Sequence, residues 1–267
     1  TSAYAEIWLD GEKTAAIGEE VEEPIYGKTY LPRKFKIAVA LPPRNDVDVF
    51  SNCLGYVGIS ENNKIVGYNV LVGGGLGMTH GKTTTFPRLA DVIGFCTPEQ
   101  AVQVAEEVVK IQRDFGDRSD RRHARLKYTI EDRGVEWFKE ELNQRLGWDL
   151  EPARDFLFES TTDRYGWNQD ADGSWTYGLF FEGGRLRDKS KLAIREIASC
   201  IPCEFRLTAN QNLVIARISN EDKGKIDEIL AKHSVLLPSD LSGLRLNSIA
   251  CTALPTCSLA LAESERY

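Results

Sequence analysis

Between Thr97 and Gly147 the chain is punctuated for helices, and that block limits what the rest can become. Thr97 precedes Pro98 and Gln100 in a capping-box pattern. Ala101, Val104, Ala105, Val108 and Val109 then recur at helical spacing to about Phe115. A second helix is expected from about Ser119 to Arg133, stopped by Gly134, and a third from Val135 to Leu146, stopped by Gly147. Upstream, strands are expected over 36–41, 56–59 and 65–72, the last two joined by a turn at Glu61-Asn-Asn-Lys64. In the first of them Ile37, Val39 and Leu41 alternate as a half-buried strand does. Residues 1–10 read as an apolar element and 11–28 as an acidic loop, with Glu19, Glu20, Glu22 and Glu23 before Pro24.

The linker from Trp148 to Asp155 contains Pro152, and a boundary is placed there. Beyond it, strands are expected at 175–181, 205–208 and 213–218, and helices at 189–199 and from Asn220. Strand–helix–strand–strand–helix is the run of a ferredoxin-like unit. The fold class is therefore α+β. The length of 267 residues suits one large domain or two modest ones.

Charge is distributed unevenly. The net charge of -7 argues against a general nucleic-acid binder, yet cations cluster at 33–36 and 118–127. Residues two apart on a strand share a face, so Lys34 and Lys36 lie side by side, with Arg33 and Phe35 on the other side. Two adjacent ammonium groups suit an anion held between them; a solvated basic edge is the plainer alternative. On a helix, Arg118, Arg121, Arg122 and Arg125 would share one broad face, with Lys127 beside them. Here too a solvated face paired with local carboxylates is the alternative. No apolar run reaches the roughly 20 residues of a membrane span, and no signal peptide opens the chain. Six cysteines suit a reducing compartment, and hence the cytoplasm, better than a disulfide scaffold.

The loop from Val72 to Thr83 invites a phosphate-loop reading, but the spacing fails. Counting back from Gly81-Lys82-Thr83 meets Leu76 where a glycine is needed, and a dinucleotide pattern starting at Gly73 fails at Met78. Gly73, Gly74 and Gly75 more simply allow backbone to approach a large flat ligand. Cys200-Ile-Pro-Cys203 resembles a redox or zinc half-site but lies at a helix-to-strand join and reads as structural, as do Cys53 and Cys96. Neither a histidine metal pair nor a hydrolase triad can be argued.

Five ordered motifs carry a family resemblance. They are Leu-Pro-Arg-Lys-Phe-Lys at 31–36, Phe-Pro-Arg at 86–88, Arg-Arg-His-Ala-Arg-Leu-Lys-Tyr at 121–128, Thr-Ala-Asn-Gln-Asn at 208–212 and Cys-Thr-Ala-Leu-Pro-Thr-Cys at 251–257. In this order they resemble the siroheme-dependent sulfite and nitrite reductases, over nearly the whole chain. Both ends read as cut, and the resemblance places the segment in roughly the middle half of the sulfite reductase hemoproteins, with N- and C-terminal parts missing.

The resemblance implies a mixed-sheet siroheme-binding lobe at 1–150, a ferredoxin-like half domain at 151–237, and the start of a second lobe with cluster cysteines at 238–267. Siroheme and a 4Fe-4S cluster are the implied cofactors. Arg33, Arg125, Gly73, Gly74, Gly75 and Gln211 would serve siroheme. Siroheme carries eight carboxylates, which guanidinium forks suit. Cys251 and Cys257 match the first cysteine pair of the cluster; the second would lie past Tyr267. The matching family lysines, here Lys34 and Lys36, stabilise bound sulfite and help deliver protons, together with arginines upstream of Thr1. The implied reaction is six-electron reduction of sulfite to sulfide, fed by a flavoprotein or a ferredoxin, without nucleic acid or membrane. The nitrite branch usually carries Asn where Lys36 stands, so Lys36 favours sulfite. The alternatives are a siroheme nitrite reductase, a non-catalytic scaffold fragment, and a zinc module built from Cys200, Cys203, Cys251 and Cys257.

Overall fold

A computed structural model describes residues 5–17 and 23–264. It divides the chain into two compact units, one of 1–43 with 48–158, the other of 44–47 with 159–267.

The first unit opens with a hairpin of β1 (Ala5–Leu9) and β2 (Glu12–Ile17). Its turn is Asp10-Gly11, both at positive φ, the two-residue geometry that matches strand twist. The loop expected from residue 11 is thus a strand as far as Ile17, and Glu19, Glu20 and Glu22 lie outside the described residues. The main sheet follows, ordered β3 (Ile37–Ala40), β4 (Leu54–Glu61), β5 (Lys64–Val72) and β6 (Asp91–Cys96). β3 runs parallel to β4 and the remaining pairs are antiparallel, so the sheet is mixed. The β4–β5 turn places Asn62 and Asn63 both at positive φ.

One expectation about β3 reverses. Ile37, Val39 and Leu41 are each about half exposed, and Ala40 faces inward. Alternation is present, but the small residues take the buried side. β6 is a strand that alternation does not reveal, because its Gly94 to Cys96 segment is wholly buried.

Three helices complete the unit: α1 (Ala101–Phe115), α2 (Leu126–Arg133) and α3 (Val135–Leu146). Val104, Val108 and Ile111 of α1 pack with Phe138 and Leu142 of α3 against Leu54, Tyr56, Val70 and Val72 of the sheet. The Tyr56 hydroxyl donates to the Ala101 carbonyl at 2.6 Å across that layer. The capping-box glutamine forms half its motif, with the Thr97 N–H donating to Gln100 Oε1 at 2.9 Å. α3 ends on Gly147 in the left-handed region. The second helix starts later than its periodicity suggests, at Leu126 instead of about Ser119. Asp117 Oδ1 accepts from the N–H groups of Ser119 and Asp120, and Asp120 Oδ1 from that of Arg122. These local turns compete with a helix and win over 117–122.

The second unit is one antiparallel sheet ordered β7 (Gly166–Gln169), β8 (Trp175–Leu179), β10 (Leu213–Ile218) and β9 (Glu204–Leu207). Helices α4 (Asp188–Cys200) and α5 (Lys223–Lys232) pack on it through Ala193, Ile197, Ile226 and Leu230, against Tyr177, Leu179 and Ile215. This is an α+β unit of ferredoxin-like order, with β7 added in front. The residues 44–47 join it, with Arg44 bridged to Ser160 and the Asn45 N–H donating to the Ser160 carbonyl at 2.8 Å. Two short turns of helix follow, α6 (Gly243–Leu246) and α7 (Ala253–Thr256). Beyond Cys257 the chain makes turns and bends as far as Ser264.

Among the described residues, no helix is long and apolar enough to cross a membrane.

Candidate functional site

In the first unit, three segments converge on a cationic cavity of about 550 Å³. The segment before β3 supplies Arg33 and Lys34, the loop after β5 supplies Gly77 to Thr79, and the turns before α2 supply Arg121, Arg122 and Arg125. Among the described residues, Asp120 is the one acid lining it.

Arg33 is half-buried, while Lys34 and Lys36 are exposed ahead of β3, which begins only at Ile37. The Lys34 ammonium is held below its ordinary value, first by the neighbouring Lys36, then by desolvation, then by Arg33 and Arg125. Lys34, Lys36, Arg33 and Arg125 therefore share one electrostatic environment. The fully buried Gln112 of α1 ties two parts of it together: its Nε2 donates to the carbonyls of Arg33, at 3.4 Å, and Ala124, at 3.3 Å. Nothing in its place in a helical pattern marks Gln112 as part of a site.

The three glycines have different jobs. A Cβ on Gly74 would sit 2.2 Å from the Phe50 carbonyl oxygen, and one on Gly73 would sit 2.7 Å from Ile130 Cδ1. Gly74 is required by the backbone packed against it, and Gly73 by its φ of +82. Gly75 alone of the three borders the cavity's cations, since a Cβ there would lie 2.7 Å from Arg125 Nη2. Its backbone is fixed by reciprocal hydrogen bonds with Arg88, at 2.8 and 3.0 Å.

Lys127 does not belong to an outward basic face. It is fully buried, and its Nζ donates to the carbonyls of Gly75, at 3.0 Å, Gly77, at 2.8 Å, and Phe86. Desolvation, with Arg125 adding repulsion, pushes it down to about 8. Arg118 also leaves the group, donating to the carbonyls of Thr29, Tyr30 and Arg113. The helical face expected from 118 to 125 does not exist, because those residues precede α2; Arg121, Arg122 and Arg125 meet through the turns instead.

Arg125 is the feature that asks for a ligand. Its Nε and Nη2 are buried and have no hydrogen-bond partner in the protein. Buried guanidinium nitrogens left unpaired are unfavourable, and a carboxylate is the group that matches the Nε–Nη2 fork. The missing Cβ of Gly75 lets the Arg125 guanidinium lie against the loop, and a polycarboxylate would supply the missing acceptor.

In the second unit, Gln211 sits at positive φ in the turn between β9 and β10. Its Nε2 donates to the Ala250 carbonyl at 2.9 Å, one residue before Cys251, and its Oε1 is buried without a partner. Cys251 is exposed and Cys257 half-buried, both as free thiols, with α7 between them. Two thiols are half of the four thiolates that a 4Fe-4S cluster requires. Among the described residues no group of three or more His, Cys, Asp or Glu is placed to hold a metal ion. Cys200, Cys203, Cys251 and Cys257 do not converge, which removes the zinc module. Buried Cys53 and Cys96 are free thiols of the core.

Comparison with known proteins adds an independent view. Residues 1–150 match the family described as "Nitrite and sulphite reductase 4Fe-4S domain", and residues 168–233 match "Nitrite/Sulfite reductase ferredoxin-like half domain". Proteins named "Sulfite reductase (NADPH) hemoprotein beta-component" are similar throughout: that of Anoxybacillus flavithermus is 55% identical over 100% of this chain and 48% of its own length. That of Bacillus subtilis is 53% identical over the same two shares, 100% and 48%. The chain thus spans about half the length of the curated relatives it matches. Among solved structures, "Structure of Mycobacterium tuberculosis NirA protein" matches with a TM-score of 0.75 and 27% identity, covering 90% of this chain and 43% of that one.

Proposed function

The chain belongs to the nitrite and sulphite reductase family, and from that premise we propose that it is the siroheme-binding middle portion of a sulfite reductase hemoprotein. Such a protein reduces sulfite to sulfide in six electrons. Siroheme and a 4Fe-4S cluster would supply the electron path when bound.

This chain's residues would then divide the work. Arg125 and Arg33, with Arg121 and Arg122 beside them, hold siroheme carboxylates in bidentate or single contacts. Gly75 would serve the macrocycle by leaving room for the Arg125 guanidinium against the loop; Gly73 and Gly74 keep that loop in place. Gln211, beside the Ala250–Cys251 segment, would use its unpartnered Oε1 toward a cofactor. Cys251 and Cys257 give two cluster thiolates, the others coming from sequence outside this segment. Lys34 and Lys36 hold the sulfite oxygens. Reduction of hydrogen sulfite to hydrosulfide takes up a proton for every electron and releases the oxygens as water. An ammonium whose proton is loosened by a neighbouring cation is a better donor for those steps, and Lys34 is such a group.

The observation that carries this reading is the pair of buried, unpartnered guanidinium nitrogens of Arg125, beside Gly75 in a cavity lined by cations. Lys36 favours sulfite over nitrite as substrate. The names of the relatives favour a donor fed by NADPH, a flavoprotein before a ferredoxin. The free thiols and the absence of a membrane-crossing helix among the described residues fit a cytoplasmic enzyme. The reading assigns the siroheme lobe to 1–150, the ferredoxin-like half domain to 151–237 and the start of a second lobe to 238–267. The segment alone is expected not to sustain turnover, since half the cluster ligands lie elsewhere.

The test is the visible spectrum, iron content and sulfite-reducing activity of the full-length protein and its variants. Arg125→Met should lose tetrapyrrole. Lys34→Gln with Lys36→Gln should keep the pigment and lose sulfide production. Full pigment in Arg125→Met, or full activity in the lysine pair, would overturn the assignment.

A further inference from the structure

Asp163 is the most heavily used buried acid in the second unit. It is 5% exposed, and its carboxylate accepts from three side chains of a single turn. Oδ2 takes the Thr208 hydroxyl at 2.6 Å and Asn212 Nδ2 at 2.8 Å, and Oδ1 takes Asn210 Nδ2 at 3.0 Å. The turn is further closed on itself: the Asn212 N–H donates to Thr208 Oγ1 at 3.1 Å and the Gln211 N–H to the Thr208 carbonyl at 3.2 Å. Asn212 Oδ1 also accepts the Phe181 N–H at 2.9 Å, anchoring the turn to the end of β8.

Gln211 bonds outside this set through its side chain. It is held in the left-handed region, at φ 68, where a side chain is disfavoured unless its surroundings impose it. Gly184 leaves room beside it, since a Cβ there would be 3.1 Å from Gln211 Cβ. The result is a side chain bonded to the Ala250 carbonyl by Nε2, with a buried Oε1 left over.

We propose that Asp163 is the positioning residue for Gln211: its carboxylate clamps Thr208, Asn210 and Asn212 so that the residue between the two asparagines is presented to the Ala250–Cys251 segment and to the cofactors. The inference rests on the reading of Gln211 and Cys251 as cofactor-facing residues. Asp163 itself touches neither thiol nor cofactor and acts through the turn. A carboxylate is required because it accepts from all three donors at once, whereas an amide in its place turns a donor toward at least one of them.

The experiment uses the full-length protein carrying its cofactors, as wild type, Asp163→Asn, Gln211→Leu and the double variant. Visible bands, iron content and hydrogen exchange over 208–212 are measured. Asp163→Asn should retain iron, shift the bands in the same direction as Gln211→Leu, and speed exchange over 208–212 about tenfold. The double variant should shift the bands no further than Gln211→Leu alone. Wild-type bands in an iron-loaded Asp163→Asn protein, or shifts that add in the double variant, overturn the proposal. If Asp163→Asn does not fold, Thr208→Val removes one bond to the same carboxylate and is read in the same two ways. A wild type without pigment or iron overturns the functional reading itself, which is a distinct result from an unaltered spectrum in Asp163→Asn.

Discussion

Lys127 donates its ammonium to the Gly75 carbonyl at 3.0 Å from a fully buried position. The same nitrogen serves Gly77 and Phe86, so one charge clasps three points of a glycine-rich loop. Replacing it by Met leaves three carbonyls without that donor. Lys127→Met should cost about 3 kcal/mol in urea unfolding. A loss within the noise of the measurement would mean that the loop holds itself.

The clasp has a pH signature. Lys127 loses its proton near about 8 in the folded protein but only near 10.5 when unfolded. Between those values the unfolded chain binds more protons, so this group raises the unfolding free energy as pH increases through that window. A neutral amine nevertheless has only two N–H donors for three carbonyls. Above pH 8 the loop around Gly75–Gly77 should therefore exchange its amides faster while global stability relative to Lys127→Met rises. A wild-type advantage that shrinks from pH 7.5 to 9.5 would contradict this sign.

Gly74 and Gly75 should separate folding from binding. A methyl at Gly74 meets the backbone oxygens of Phe50 and Asn52, at 2.2 and 2.7 Å, which cannot yield cheaply. Gly74→Ala should cost about 3 kcal/mol or more. A methyl at Gly75 meets only the far end of the Arg125 side chain. Gly75→Ala should melt within a few degrees of wild type and load markedly less tetrapyrrole. Equal effects of the two substitutions on melting would refute the division.

Lys36 is the largest cause of the lowered Lys34 value. In Lys36→Gln the Lys34 ammonium should titrate closer to its ordinary 10.5, followed by nitrogen NMR of the labelled side chain. Any alkaline limb of sulfite reduction set by Lys34 should move up with it. An unmoved titration would show that the two ammonium groups do not sense each other.

Gln112→Leu should deprive the Arg33 and Ala124 carbonyls of their shared donor. A cost of about 1–3 kcal/mol is expected, together with weaker binding of polycarboxylates because Arg33 and Arg125 lose their common tether. Calorimetric melting and a binding titration check the two parts separately.

Much of this architecture can be read from residues alone, for identifiable reasons. Gly134 and Gly147 bound α3, and Asn62-Asn63 turns β4 into β5, because local conformational preference and tertiary structure agree there. The same kind of signal at Asp10-Gly11 announces β1 and β2, though the surrounding charge suggests a loop. The delayed start of α2 was less legible, because two aspartate side chains outcompete the helix locally. In β3 the period is evident but the buried face is not, since alternation alone does not say whether Ala40 or Val39 turns inward. The site divides in the same way. The motifs point to Arg33, Lys34, Lys36 and Arg125, whose charge makes them conspicuous. Gln112, Lys127 and Asp163 look like surface residues in a sequence, because their partners include backbone carbonyls and a distant turn that no local pattern reveals.

The assignment of Arg44–Val47 to the second unit bears on how this architecture could be dissected or shuffled. A gene fragment for 159–267 would omit the strand-like partner of Ser160 and the Asp46 carbonyl that receives Asn210 at 3.4 Å. A fragment ending at 158 would retain those four residues without the backbone they pair with. No single cut yields two intact halves, so the ferredoxin-like part is not a portable cassette. Recombination that transfers it whole must carry a piece of the β3–β4 connection as well.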